Sequence, residues 1–62
     1  MCLSDAFELS GGESRPLMNY VSGISVDGEN VVLTDMLGAK KTVRGTLRSV
    51  DLTKNVILIE TA

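Results

Sequence analysis

The chain has 62 residues, six Lys or Arg against eight Asp or Glu, and a formal net charge of −2. This length allows one small domain, 1–62, whose thin core usually needs a disulfide, a metal or a second subunit for support. One cysteine and no histidine exclude an internal disulfide and remove the commonest general base and metal ligand, while the acidic balance disfavours nucleic acid as a partner.

The opening segment MCLSDAFELSGGES carries acids and glycines, where a secretory signal needs a basic start and an apolar run. No apolar stretch approaches the roughly 18 residues of a membrane span. A lone thiol suits a reducing compartment or a bond between two chains. We therefore expect a soluble, cytoplasmic protein.

The first half of the chain predicts two strands. CLSDAFEL forms the first, and SGGES follows it with Gly11 and Gly12, which tolerate the positive φ angles of a hairpin loop. LMNYVSGISV reads as a long second strand. Gly23 inside it predicts a bulge or a sharp bend, which would let one strand turn two corners of a barrel.

A hairpin is predicted where DGEN separates ISV from VVL. Pairing Val26 with Val31 places Ile24 opposite Leu33, so that one face is apolar across both strands. A slip of one residue would lose that match.

The second half predicts a turn in TDMLGAKK and then three short strands in KTVRG, TLRSVDL and NVILIE, with DLTKN as the last hairpin loop. Helix signals are almost absent. The predicted fold is all-β, a small five- to six-stranded antiparallel barrel of the SH3/Sm-like type.

The last strand is apolar on both faces from Val56 to Ile59, whereas a strand on a monomer surface should alternate. Val56 and Leu58 then face one layer, and Ile57 and Ile59 face the other. In so short a chain the second layer is best supplied by another subunit, which predicts a homodimer. The alternative is a central strand in a closed barrel with a loop over it.

Catalytic motifs are missing from the sequence: it has no nucleophile–histidine pair, CxxC, Gly-rich phosphate loop or HExxH. The acids are scattered, and several fall in or beside predicted turns, where carboxylates are ordinarily solvated. We therefore expect a protein that is not an enzyme. Met36 and Leu37, adjacent and apolar in a predicted turn, are candidates for a partner contact.

Cys2 is the one residue whose position suggests chemistry. The Met1 amine, the deprotonated Cys2 backbone nitrogen and the Cys2 thiolate form two fused five-membered chelate rings, a donor set that suits square-planar Ni(II) or Cu(II). If Met1 is removed, the Cys2 amine and thiolate form a single five-membered chelate ring. Two such chains related by a two-fold axis would then supply a donor set of two nitrogens and two sulfurs. The alternative is that Cys2 is a small apolar residue at the start of the first strand.

The opening MC together with VVLTDMLGAKKTVRGTLRSVDLTKNVILIE resembles the CooT family, small nickel-binding proteins associated with maturation of carbon monoxide dehydrogenase. The resemblance implies an all-β homodimer that binds Ni(II) through Cys2 and serves as a chaperone, store or sensor of nickel. It implies a nickel enzyme such as carbon monoxide dehydrogenase as the client. It does not specify the ligands beyond Cys2.

An alternative function is RNA binding, because small Sm-like barrels bind RNA and the same family has carried a predicted RNA-binding label. The candidate residues form the one basic cluster of the sequence: Lys40, Lys41, Arg44 and Arg48. Phe7 and Tyr20 are the only aromatic residues for base stacking. Charges that guard an edge strand against aggregation explain the cluster more simply.

Overall fold

The computed structural model describes residues 3–61, and these residues form strands and turns without a helix. No segment that could cross a bilayer as a helix therefore occurs in the described part of the chain. The all-β prediction is confirmed, with the strand count at its upper value. The strands are β1 Ser4–Ser10, β2 Glu13–Asp27, β3 Asn30–Asp35, β4 Lys40–Arg44, β5 Thr46–Asp51 and β6 Val56–Glu60.

All six strands belong to one sheet in the order β4-β3-β2-β1-β6-β5. Four of the five neighbouring pairs are antiparallel, but β1 and β6 run parallel, with Ala6 opposite Ile57 and Phe7 opposite Leu58. The predicted sheet was antiparallel throughout, which is wrong for this one pair. A parallel pair needs a long connection, and here the connection is nearly the whole chain, so no local turn signal reports it.

β2 bends and serves two neighbours. Its first part pairs with β1 and its second part with β3, and Val21 lies opposite Ser4 on one side and Asp35 on the other. The register shifts between Val21 and Gly23, which confirms the predicted irregularity at Gly23. The bend lets the sheet curl instead of lying flat.

The two edge strands of the curled sheet approach each other at Gly45. β4 and β5 are the two edge strands of the sheet, yet Gly45 alone separates them in sequence. Its backbone N–H donates to the carbonyl oxygen of Glu29 at 2.9 Å. The two edges therefore meet at this end, and the sheet forms a half-barrel.

The core lies inside this half-barrel. Val31 and Leu33 on β3 are fully buried, and the hairpin register pairs Ile24 with Leu33 and Val26 with Val31, as predicted. Ile57 and Ile59 are buried, while Val56 and Leu58 on the opposite face are half-buried. The buried apolar residues of the described chain are Ala6, Val21, Val31, Leu33, Val43, Ile57 and Ile59.

The turn between β5 and β6 is organised by one carboxylate. Asp51 Oδ1 accepts hydrogen bonds from the Thr53 hydroxyl at 2.6 Å, from Thr53 N–H at 3.0 Å and from Lys54 N–H at 3.0 Å. The Thr53 hydroxyl and then the Lys54 N–H favour the charged form, and they lower the pKa of Asp51 below its ordinary value. The chain then enters β6 through Asn55, whose φ is 58°.

This turn predicts a pH effect. A carboxyl group with a lowered pKa in the fold stabilises it above the ordinary carboxyl pKa, and that contribution is lost as the pH falls through the lowered pKa. We expect Asp51→Asn to show a shallower fall in thermal midpoint below about pH 4 than the wild type. Circular dichroism melts from neutral to acidic pH measure this. Thr53→Val should produce part of the same change, and an unaltered acid profile in Asp51→Asn would contradict the assignment.

Candidate functional site

The N-terminal end of β1 is where the sequence places the metal ligands. Met1 and Cys2 themselves lie outside the described residues. Leu3 is half-buried, and Ser4 is buried at the first position of β1. Ser4 pairs with Val21 on one side, and Asp5 N–H donates to the Asn55 carbonyl oxygen at 2.9 Å on the other. The chain therefore enters the sheet as a central strand, held on both sides.

Asn55 lies beside this entry point, and the sequence analysis placed it only at the junction of the loop DLTKN and the strand NVILIE. Within residues 3–61 its side-chain Oδ1 is buried and has no hydrogen-bond partner. Its positive φ of 58° is one that asparagine adopts more readily than most residues. The signal in the sequence was therefore the asparagine directly before the apolar run VILIE. The Asn55 carbonyl oxygen accepts the Asp5 N–H and so fixes the start of β1. The Asn55 Oδ1, unpaired within the described part of the chain, places a buried polar atom beside the same strand start.

The carboxylates do not gather into a metal centre. Across the described residues, no group of three or more Cys, Asp or Glu side chains is placed to hold an ion. Glu8 accepts a hydrogen bond from the Thr61 hydroxyl at 2.7 Å, and Glu29 and Glu60 face arginines. Among the described acids, Asp35 and Asp51 organise turns, and Glu13, Glu29 and Glu60 pair with arginines on the surface.

The basic cluster is divided by the fold. Lys40, Lys41 and Arg44 lie on the edge strand β4, whereas Arg48 lies on the other edge strand, β5. Arg44 pairs with Glu29 at 3.4 Å, Arg48 pairs with Glu60 at 3.5 Å, and Lys41 Nζ donates to the Leu17 carbonyl oxygen at 3.4 Å. These exposed pairs are weak, but they lower the local positive charge. The arrangement favours guarding of the edges over a nucleic-acid surface.

An open groove lies at the other end of the half-barrel, around Gly45. Apolar side chains from β2, β4 and β5 line it together with charged side chains of both signs. Sequence reasoning missed this groove, because it exists only where the two sheet edges approach each other. Its lining includes Leu17, Val43, Leu47, Glu8, Arg44 and Glu60.

The predicted partner contact in the β3–β4 turn is exposed. Met36 is 58% and Leu37 is 87% accessible, and Tyr20 next to them is 60% accessible. Met36 N–H donates to the Tyr20 carbonyl oxygen at 3.0 Å, which ties the turn to the bend in β2. The three side chains lie at the same end of the sheet as the start of β1, since Val21 pairs with both Ser4 and Asp35.

These features define a class: a small all-β protein built from one curled, six-stranded half-barrel sheet. The chain belongs to the CooT family, whose model, described as CO dehydrogenase accessory protein CooT, matches residues 1–60. It is therefore an accessory protein of carbon monoxide dehydrogenase and not itself an enzyme.

A solved structure supports the fold independently. The crystal structure of a CooT-type protein from Carboxydothermus hydrogenoformans superimposes with a TM-score of 0.88, covers 98% of both chains and has 21% sequence identity. At that identity the likeness shows the fold alone. Among curated proteins, no sequence matches this chain.

Proposed function

We propose that this protein is a cytoplasmic Ni(II)-binding accessory protein that holds the ion at its N-terminus, with Cys2 and Met1 as ligands. It acts as a chaperone, store or sensor of nickel, and carbon monoxide dehydrogenase, a nickel enzyme, is its client. The observation that carries the proposal is the match to the accessory-protein family, which begins at residue 1 and so includes Met1 and Cys2.

The donor chemistry supports nickel at this position. An amine, a deprotonated amide nitrogen and a thiolate lie within two residues, and such strong-field donors suit a square-planar d⁸ ion. The described carboxylates offer no competing centre. Because thiol and amide must lose protons to bind, nickel uptake should release protons and tighten as the pH rises.

The proposed assembly is a homodimer. Phe7 and Leu58 are paired across β1 and β6 on the outer face of the sheet, with Val56 and Leu9 on the same face, and all four are only half-buried. Sheets bury apolar faces against a second layer, and residues 3–61 supply that layer only on the inner face. A second subunit would cover the outer one and would support the small core.

The proposal predicts tight nickel binding that depends on both the sulfur and the terminal nitrogen. Titration of the protein with Ni(II) should produce thiolate-to-metal charge-transfer absorption. Cys2→Ser should lower the affinity at least a hundredfold, because it removes the soft anionic donor. A two-residue N-terminal extension, which keeps the thiol but moves the amine away, should also weaken binding.

Two controls make this experiment decisive. Circular dichroism should show both altered proteins folded, and native mass spectrometry should report the number of chains and nickel ions per particle. We expect two chains. Undiminished affinity in Cys2→Ser would show that other groups hold the ion, and a single chain at micromolar concentration would contradict the homodimer.

A further inference from the structure

The strongest unexplained surface of the molecule is the apolar turn formed by Tyr20, Met36 and Leu37, hereafter the turn surface. Three large apolar side chains are 60%, 58% and 87% accessible in two adjoining segments. Single exposed apolar residues are ordinary, but several of them in segments joined by a hydrogen bond, here Met36 N–H to the Tyr20 carbonyl oxygen, are a candidate interaction site. None of the three takes part in the inner core.

The turn is held in one conformation by hydrogen bonds. Asp35 Oδ1 accepts from Leu37 N–H and Ala39 N–H, each at 2.9 Å, and the Asp35 carbonyl oxygen accepts from Gly38 N–H at 3.0 Å. Ser22 Oγ donates to the Asp35 carbonyl oxygen at 3.1 Å from β2. Met36 and Leu37 are therefore presented from a rigid base, which reduces the ordering cost of binding a partner.

Tyr20 adds a strained residue to the same surface. Its φ is 57°, in a region that aromatic residues rarely occupy and that costs on the order of 1–2 kcal/mol. Such strain persists where the surrounding structure maintains it, and it is concentrated at functional sites. Here it turns the Tyr20 carbonyl oxygen to Met36 N–H while the side chain stays exposed.

The turn surface lies at the same end of the sheet as the start of β1, the strand that follows the proposed metal ligands. Ser4, Val21 and Asp35 are opposite one another on β1, β2 and β3. Neighbouring strands are about 4.8 Å apart, so Ser4 and Asp35 are separated by about 10 Å. Cys2 is two residues before Ser4, within about 7 Å along the chain. A protein bound to the turn surface would therefore lie at the end of the sheet from which the N-terminal segment extends.

The size of the surface argues against a second copy of this chain as its occupant. A stable interface buries about 800 Å² per partner, close to a fifth of the 4287 Å² exposed by this small protein. Three side chains provide much less than that, which fits an association that must form and then release. Lys40 directly follows the turn and is exposed, so that an acidic neighbour would complement it.

We infer that the turn surface is the docking contact for the client: Tyr20, Met36 and Leu37 enter an apolar pocket with an acidic rim on the protein that receives the nickel. This inference rests on the proposed function, since it assumes a metal-receiving partner. Leu37 is the central anchor, because it is the most exposed of the three, and apolar anchors in pockets carry most of the binding energy.

The test uses nickel-free carbon monoxide dehydrogenase from the same organism as the probe, immobilised for biolayer interferometry. Leu37→Asp should lower the affinity of the nickel-loaded protein for the enzyme at least tenfold. Lys40→Glu, made as a separate single variant, should also lower the affinity for the enzyme, and the loss should be larger at low salt than at high salt. Val26→Ser is the matched control: Val26 is 59% accessible but lies in the groove near Gly45, so this variant should bind as the wild type does.

The outcomes separate the inference from the function on which it rests. Leu37→Asp should retain the nickel affinity and native mass of the wild type while losing the enzyme. Equal binding of wild type and Leu37→Asp to the enzyme overturns the inference, as does a wild-type protein that binds nickel but not the enzyme. A lower native mass for Leu37→Asp also overturns it, since the turn would then join two copies. Failure of the wild type to bind nickel refutes the proposed function instead.

Discussion

Replacement of Gly45 by alanine is expected to destabilise the protein by about 2 kcal/mol or more, in the upper part of the range for overpacking. A Cβ atom at Gly45 would overlap the Glu60 carbonyl oxygen, and it would lie 3.2 Å from the Glu60 carbonyl carbon and 3.2 Å from Cγ2 of Ile59. The carbonyl is backbone within a paired strand and cannot rotate away. Urea unfolding followed by circular dichroism measures the loss.

Gly23 provides the matched control for this substitution. A Cβ at Gly23 would lie 3.7 Å from Thr34 Cβ, which is an ordinary contact, and Gly23 does not have a positive φ. Gly23→Ala should therefore be neutral or stabilise the protein by up to about 1 kcal/mol, because alanine restricts the unfolded chain. Equal midpoints for Gly45→Ala and Gly23→Ala would mean that the Gly45 backbone does not pack closely against the Glu60 carbonyl group of β6.

Leu33→Ala is expected to have a comparable or larger effect, a loss of about 2–5 kcal/mol. Leu33 is 0% accessible and belongs to the core cluster, so truncation removes buried surface and leaves a cavity inside the half-barrel. A core of this size supplies only about 3–5 kcal/mol in total. We expect the variant to be largely unfolded at 37 °C, as measured by thermal melting.

The same substitution at Leu52 is the control that distinguishes the effect of burial on stability from the effect of replacing leucine by alanine. Leu52 is 76% accessible in the turn after β5, and Leu52→Ala should change the free energy of unfolding by no more than about 0.5 kcal/mol. Both proteins must be compared at one concentration, because association makes the midpoint concentration-dependent. A small loss at Leu33 would contradict the placement of the core on β3.

Several local features were predictable because their causes are local. Alternation around DGEN required the register of Ile24 with Leu33, since any slip would expose the apolar face. Gly23 predicted the irregularity in β2, and Gly11 and Gly12 predicted the first turn, where their φ angles are 58° and 82°. The run from Val56 to Ile59 predicted that Ile57 and Ile59 are buried.

The candidate site could be predicted only in part. The CooT resemblance identified from the sequence is confirmed by the family match, while nickel and the roles of Met1 and Cys2 remain predictions. Met36 and Leu37 were recognised as an exposed apolar pair, and their exposure is confirmed. The contribution of Tyr20 was not foreseen, because nothing in the sequence of β2 indicates a positive φ at an aromatic residue.

By itself, the sequence determined the strands and most of their turns, because alternation of apolar residues and the φ freedom of glycine act over a few positions. Tertiary structure alone decided the parallel pairing of β1 with β6 and the meeting of the edge strands at Gly45. It also placed Tyr20 beside Met36 and the start of β1 near the β3–β4 turn. These are contacts between distant segments, and they depend on how the whole sheet curls to bury one shared core.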